Sequence, residues 1–253
     1  MHSTRDGKQG RVGGDHADSG APAAPVHAAD SAPGLQDFAE ADRVEPLLPD
    51  EVHLWLWRSQ QAFPPREVSA LARAELGRLL QEYAGVAAAP PIERGEHGKP
   101  FVSASGFPRF NLSHSGQCVV FAFCAHHEIG VDVEALGRRH SPLELANRFF
   151  AAEETAALAA LDEAAQGVAF MRLWTSKEAV LKALGHGISF GLHRLRFALD
   201  EGGGVGLQAI AAEAGTPEEW RLRCFEPAPG HAGALAWRGP DLRVRAFRLR
   251  RPE

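Results

Sequence analysis

Cysteine is scarce in this 253-residue chain: there are three, Cys118, Cys124 and Cys224. They make neither an even set nor a Cys-x-x-Cys pair, which argues against a disulfide framework and a cysteine-held metal; they read as small buried hydrophobes. Long apolar runs are lacking too. None approaches the roughly 20 residues a membrane-spanning helix needs, and the opening MHSTRDGKQG has no apolar stretch of the secretory type. A soluble, cytoplasmic protein without membrane contact is the expectation. Nor is there a basic excess. The formal net charge is -5, and it sits in residues 1–50, where four Lys and Arg face nine Asp and Glu. The remainder is formally neutral, which argues against a general nucleic-acid binder.

What is present is a globular body. Hydrophobic residues make up 45% of the chain, enough at this length to bury a core, as one large domain or two small ones. Residues 1–44 stand apart, rich in Ala, Gly, Asp, Ser and Pro, with Phe38 as their one aromatic. Such a segment cannot offset its ordering entropy and is expected to be a disordered tail. The alternation in Val52-His-Leu-Trp-Leu-Trp57 suits a strand. Val68, Leu71, Ala72, Leu76, Leu79, Leu80 and Tyr83 recur at helical spacing and stop at Gly85, which predicts a helix.

The continuously apolar Cys118 to Cys124 predicts a strand covered on both faces, with residues 129–134 as its hairpin partner. Ser141-Pro142-Leu-Glu144 is a capping box with proline in the first helical position. Further helices are predicted over 153–161 and 168–184, and strands over 192–199, 220–225 and 242–249. In the last strand Arg243 and Arg245 alternate with Leu242 and Val244, as in a charged, solvated edge strand. With eight arginines against three acids over residues 221–253, that end is alternatively a surface for an acidic partner. The mixture of helix and strand blocks implies an α+β or α/β architecture.

Three stretches carry groups suited to chemistry. In Gly130-Val-Asp-Val-Glu134 the strand period puts Gly130, Asp132 and Glu134 on one face, opposite Ile129, Val131 and Val133. Same-face carboxylates repel unless a cation lies between them, and Mg²⁺ takes carboxylates, waters and substrate phosphates. A solvent-facing strand edge accounts for the pair as well. In the stretch Trp174-Thr-Ser-Lys-Glu-Ala-Val-Leu-Lys182, core positions Val180 and Leu181 alternate with Glu178 and Lys182, whose i, i+4 order also suits an exposed ion pair. In Asn111-Leu-Ser-His-Ser115 a triad is disfavoured, because base and nucleophile come from separate parts of a fold. Donors clustered before a glycine turn suit phosphate instead, with a hydrogen-bonded His114 at a strand end as the alternative.

Taken together and in order, Gly98-Lys99-Pro100, Asn111-Leu-Ser-His-Ser115, Gly130-Val-Asp-Val-Glu134, Arg148-Phe-Phe150 and Trp174 through Lys182 resemble the 4'-phosphopantetheinyl transferase family, in its larger, surfactin-type group, over about residues 52–249. The resemblance implies an α+β fold of two similar α/β halves related by a pseudo-two-fold axis. These would span residues 45–128 and 129–253, with coenzyme A and Mg²⁺ in the cleft between them. It implies transfer of the phosphopantetheine arm of coenzyme A to a serine of an apo acyl, peptidyl or aryl carrier protein by a monomer, with release of adenosine 3',5'-bisphosphate. It places Asp132, Glu134 and Glu178 on Mg²⁺, Lys177 and Lys182 on the phosphates, and Glu178 and Lys182 in catalysis. Ser113 and His114 match positions that contact coenzyme A phosphates; Gly98, Lys99 and Pro100 match the loop near adenine, and Arg73 is carried over for the nucleotide.

The implied chemistry accounts for the residue types. Cleaving a pyrophosphate builds charge on the leaving group, which a cation and lysines stabilise. A serine hydroxyl is a weak nucleophile, and a general base contributes about 10² to 10⁴ in rate; Glu178 is the candidate. Family members carry a basic segment between the first strand and first long helix, and here only Arg58-Ser-Gln-Gln-Ala-Phe-Pro-Pro-Arg66 lies between. The competing readings are a non-catalytic module that binds coenzyme A or a carrier, and a metal-dependent hydrolase of coenzyme A-like pyrophosphates. An intact Glu178 speaks for catalysis.

Overall fold

A helix of 20 residues and one of 22 cover the outer faces of two β-sheets that pack against each other. This computed structural model describes residues 38–41, 43–59, 64–137, 141–200 and 204–249. Residues 1–37 of the disordered tail expected over residues 1–44 lie outside them, as do residues 60–63 of the shortened basic segment. The elements in chain order are β1 (Ala39–Ala41), β2 (Glu51–Arg58), α1 (Pro65–Ala84), β3 (Glu93–Arg94), β4 (Pro100–Phe101), β5 (Arg109–Ser115), β6 (Cys118–Cys124) and β7 (Ile129–Ala135). Then come α2 (Pro142–Phe149), α3 (Ala152–Ala159), α4 (Glu163–Leu184), β8 (Leu195–Leu199), β9 (Val205–Ile210), β10 (Trp220–Phe225), β11 (His231–Arg238) and β12 (Arg243–Leu249). No helix among the described residues is long and apolar enough to cross a membrane.

The first sheet has the order β1-β12-β2-β6-β5 and the second β10-β11-β7. Strand alternation sorts the side chains between layers. Trp55, Trp57, Val119, Phe121 and Phe123 meet Val68, Ala72, Leu76, Leu79 and Leu80 of α1 on one face of the larger sheet. Val52, Leu54, Leu56, Val120 and Ala122 point the other way, onto Ile129, Val131, Val133, Leu235 and Trp237 of the smaller sheet. Ala232, Ala234 and Ala236 of β11 then meet α4. The fold is thus mixed α and β, as expected, in four layers. Both runs from a strand through a long helix end alike: a two-stranded ribbon follows (β3-β4, β8-β9), then a hairpin whose second strand pairs with the strand before the helix.

Local signals place the helices well. Gly85 and Gly185 end α1 and α4 in the left-handed conformation, with φ of 64° and 75°, and Ser141 caps α2 through the Glu144 amide. Long-range pairing differs from expectation. Residues 39–41 are a strand and Phe38 is buried, so the tail ends before residue 44. β7 pairs with β11, not β6, because β6 is already hydrogen-bonded on both sides by β2 and β5. β12 is no edge: it lies between β1 and β2, carrying residues 243–249 back into the larger sheet. Its arginines are used within the chain, Arg243 on Glu51, Arg245 on Glu45 and Arg248 on Glu40. β9 and β11 were not anticipated. β11, His-Ala-Gly-Ala-Leu-Ala-Trp-Arg, is poor in β-branched residues because α4 packs closely on it and only small side chains fit.

Candidate active site

The site begins where β7 packs on α4. Gly130 lies against the helix backbone, and a β-carbon there would stand 2.0 Å from the Ala179 carbonyl oxygen; only glycine permits that approach. From there the strand period carries Asp132 and Glu134 onto the helix side, with the valines facing the other sheet. Glu178 and Lys182, one turn apart on α4, meet them. Asp132, Glu134, Glu178 and Lys182 line one cleft of about 620 Å³ with Arg73 of α1, Pro100, and Ser113 and His114 of β5. Eight of the eleven residues expected in the site share it.

β5 and β7 lie edge to edge and are joined by side chains. Asn111 Oδ1 accepts from the Val131 amide at 2.9 Å, Ser113 Oγ donates to Asp132 Oδ1 at 2.8 Å, and Ser115 Oγ donates to Glu134 Oε2 at 2.7 Å. Ser113 and Ser115 therefore aim the two carboxylates while Asn111 holds the β7 backbone, and His114, on the opposite face of the strand, reaches the cleft. Burial, then the Lys182 charge, holds the His114 pKa below its ordinary value.

The three lysines of the motifs have different fates. Lys182 Nζ lies 2.7 Å from Asp132 Oδ1 and 2.9 Å from Ser113 Oγ. An ammonium has three donors, so one remains without an acceptor among the described residues, at the cleft. Lys177 is not in the cleft, contrary to expectation. It is fully buried, 2.8 Å from Glu154 Oε1, donating to the Leu192 and Leu195 carbonyls, with Phe150 and Phe197 against it. One residue further along a helix is a rotation of about 100°, which turns Lys177 inward where Glu178 faces the cleft. Gly98 and Lys99 also stand outside it; Lys99 lines a separate groove with Glu128 and Gly185.

Charge in the cleft is unbalanced. Asp132 Oδ2 and Glu178 Oε1 are buried and without a hydrogen-bond partner. Burial, then Asp132 and Glu134, push the Glu178 pKa up to about 7, with Lys182 opposing. Among the described residues no group of three or more His, Cys, Asp or Glu is gathered so as to hold a metal ion by itself; the Lys182 ammonium sits on Asp132 and offsets its charge.

Residues 128–236, which include all four of these charged groups, match the family model of the 4'-phosphopantetheinyl transferase superfamily. Similar curated proteins include the 4'-phosphopantetheinyl transferase Sfp of Bacillus subtilis, 33% identical over 147 residues, 58% of this chain and 62% of Sfp. Over that stretch the chain is similar to the 4'-phosphopantetheinyl transferase superfamily. A putative 4'-phosphopantetheinyl transferase of Synechocystis is 36% identical over 130 residues, 51% of each chain. The 4'-phosphopantetheinyl transferase AcpT of Salmonella typhimurium is 38% identical over 109 residues, 43% of this chain and 56% of AcpT. The chain spans about half to three fifths of the length of these superfamily relatives.

The superfamily motifs do not mark every residue of the site. Arg94 of β3, outside every motif, lines the cleft, as does Trp174, which opens the α4 motif but had no role assigned. Nothing local to Arg94 signals this, since it comes from a two-residue ribbon strand. That Asn111 and Ser115 face β7 together with Ser113 was detectable as a shared period of two. Glu154 was not, because its partner lies on another helix.

Proposed function

We propose that this protein transfers the 4'-phosphopantetheine arm of coenzyme A to a serine hydroxyl of an apo acyl, peptidyl or aryl carrier protein, releasing adenosine 3',5'-bisphosphate. The observation that carries the reading is Glu178, a half-buried carboxylate with one buried, unpartnered oxygen and a pKa near neutrality, opposite a lysine with a donor to spare. A base is most effective when its pKa lies near the working pH. In the proposed step the serine oxygen attacks the pantetheine-bearing phosphorus, its proton passes to Glu178, and the bridging P–O bond breaks toward the adenosine bisphosphate. Lys182, with Arg73 and His114 along the cleft, would hold the phosphate oxygens.

The two unpartnered oxygens, on Asp132 and Glu178, suit a hard divalent cation. Asp132, Glu134 and Glu178 would hold Mg²⁺, which when bound supplies charge stabilisation to the pyrophosphate. The repeated strand, helix, ribbon and hairpin supports two halves related by a pseudo-two-fold axis, with the cleft at their junction. We read the protein as a cytoplasmic monomer, since one chain supplies both cleft walls. The experiment is incubation with coenzyme A, Mg²⁺ and several apo carrier proteins. The carrier should gain the phosphopantetheine mass; no gain on any carrier overturns the proposal.

A further inference from the structure

The loop between β3 and β4 turns Lys99 toward the smaller sheet and α4. Its Nζ lies 2.6 Å from Glu128 Oε2, 3.1 Å from the Ala183 carbonyl oxygen and 3.2 Å from the Ile129 carbonyl oxygen. An ammonium has three donors, and three acceptors of the protein take them. None is left for a nucleotide phosphate, the role that a match to the adenine-end loop would suggest.

The acceptors are placed to matter. The last four carbonyls of a helix have no intrahelical donor. In α4, Leu181 and Lys182 accept from the His186 and Gly185 amides, and Ala183 accepts from Lys99. A cation is also favoured there by the helix dipole. Ile129 opens β7, the strand of Asp132 and Glu134. On the loop, the next residue, Pro100, lines the cleft, and the His97 ring packs 4.8 Å from that of His186, just past the end of α4.

We infer that Lys99 is a positioning residue whose ammonium clasps the 95–100 loop onto the end of α4 and the start of β7. The clasp fixes the distance between the Pro100 wall and the Glu178 and Lys182 face of the cleft. Burial, opposed by Glu128, lowers the pKa of this ammonium. The expected effect on rate rests on the transferase reading; the clasp itself does not.

Hydrogen exchange on the free protein tests the clasp. Lys99→Met should cut protection at the amides of residues 95–101 and 182–187 by about tenfold, and Glu128→Gln, a change at an exposed side chain, should act in the same direction with the fold intact. In transfer assays Lys99→Met should lower kcat on the order of tenfold with the KM for coenzyme A changed less than about twofold, as for misplaced rather than missing contacts. If Lys99 instead binds the nucleotide, free-protein exchange stays at wild-type level, KM rises, and Glu128→Gln lowers KM by releasing the ammonium; that outcome overturns the inference. A wild-type protein that transfers nothing sinks the transferase reading, while the exchange result still decides the clasp.

Discussion

Gly130 lies so close to Ala179 that a β-carbon on the strand would stand 2.0 Å from the helix carbonyl oxygen and 2.4 Å from the Ala183 nitrogen. Both are backbone atoms, which cannot rotate aside. Gly130→Ala should therefore push α4 off β7, lowering stability by about 3 kcal/mol and separating Glu178 from Asp132. Thermal unfolding checks this: a variant that melts with the wild type would show that the contact is not tight.

Glu178 makes stability depend on pH in a defined direction. Its folded pKa, about 7, lies above the ordinary 4.5, so the folded state holds the proton more tightly than the unfolded one. That contribution is fully present below pH 4.5 and is lost as pH rises through about 7. Glu178→Gln should match the wild type near pH 4 and exceed its stability by about 3 kcal/mol at pH 8, while losing transfer activity. Denaturant titrations at the two pH values measure it. A gain that does not grow with pH contradicts the assignment.

Lys177 and Glu154 form a buried pair, both side chains fully excluded from solvent. Removing one partner strands a charge. Lys177→Met should cost about 3–5 kcal/mol, and the double change with Glu154→Gln should cost less than the single, because no lone carboxylate remains. Equilibrium unfolding of the single and double variants reads the coupling; strict additivity would mean that the pair does not interact.

Mg²⁺ should stabilise the folded protein through the unpartnered oxygens of Asp132 and Glu178. At a hundred times its Kd a ligand adds about 2.7 kcal/mol, a rise in Tm visible without any substrate. Asp132→Asn and Glu178→Gln should each abolish most of that rise. An equal rise in all three proteins would place the ion elsewhere.

Much of this was legible locally. The stripe of α1, the glycines that end both long helices and the two-faced pattern of β7 depend on periods and caps within a few residues. β11 escaped notice because its alanines reflect a helix pressed against it, not an intrinsic strand preference. The arginines of β12 were misjudged because alternating charge looks the same on an edge strand and on an inner strand whose arginines meet Glu40, Glu45 and Glu51.

The sequence alone determined which groups are available: carboxylates Asp132, Glu134 and Glu178, and lysines Lys99, Lys177 and Lys182. Only the tertiary structure decided which lysines remain free to act. Each ammonium has three donors, and acceptors far away in the chain claim them: Glu154, Leu192 and Leu195 for Lys177, Glu128, Ile129 and Ala183 for Lys99. Lys182, with two of its three donors engaged, keeps one for the cleft, because hydrogen-bond supply is set by who is near in space and not by who is near in sequence.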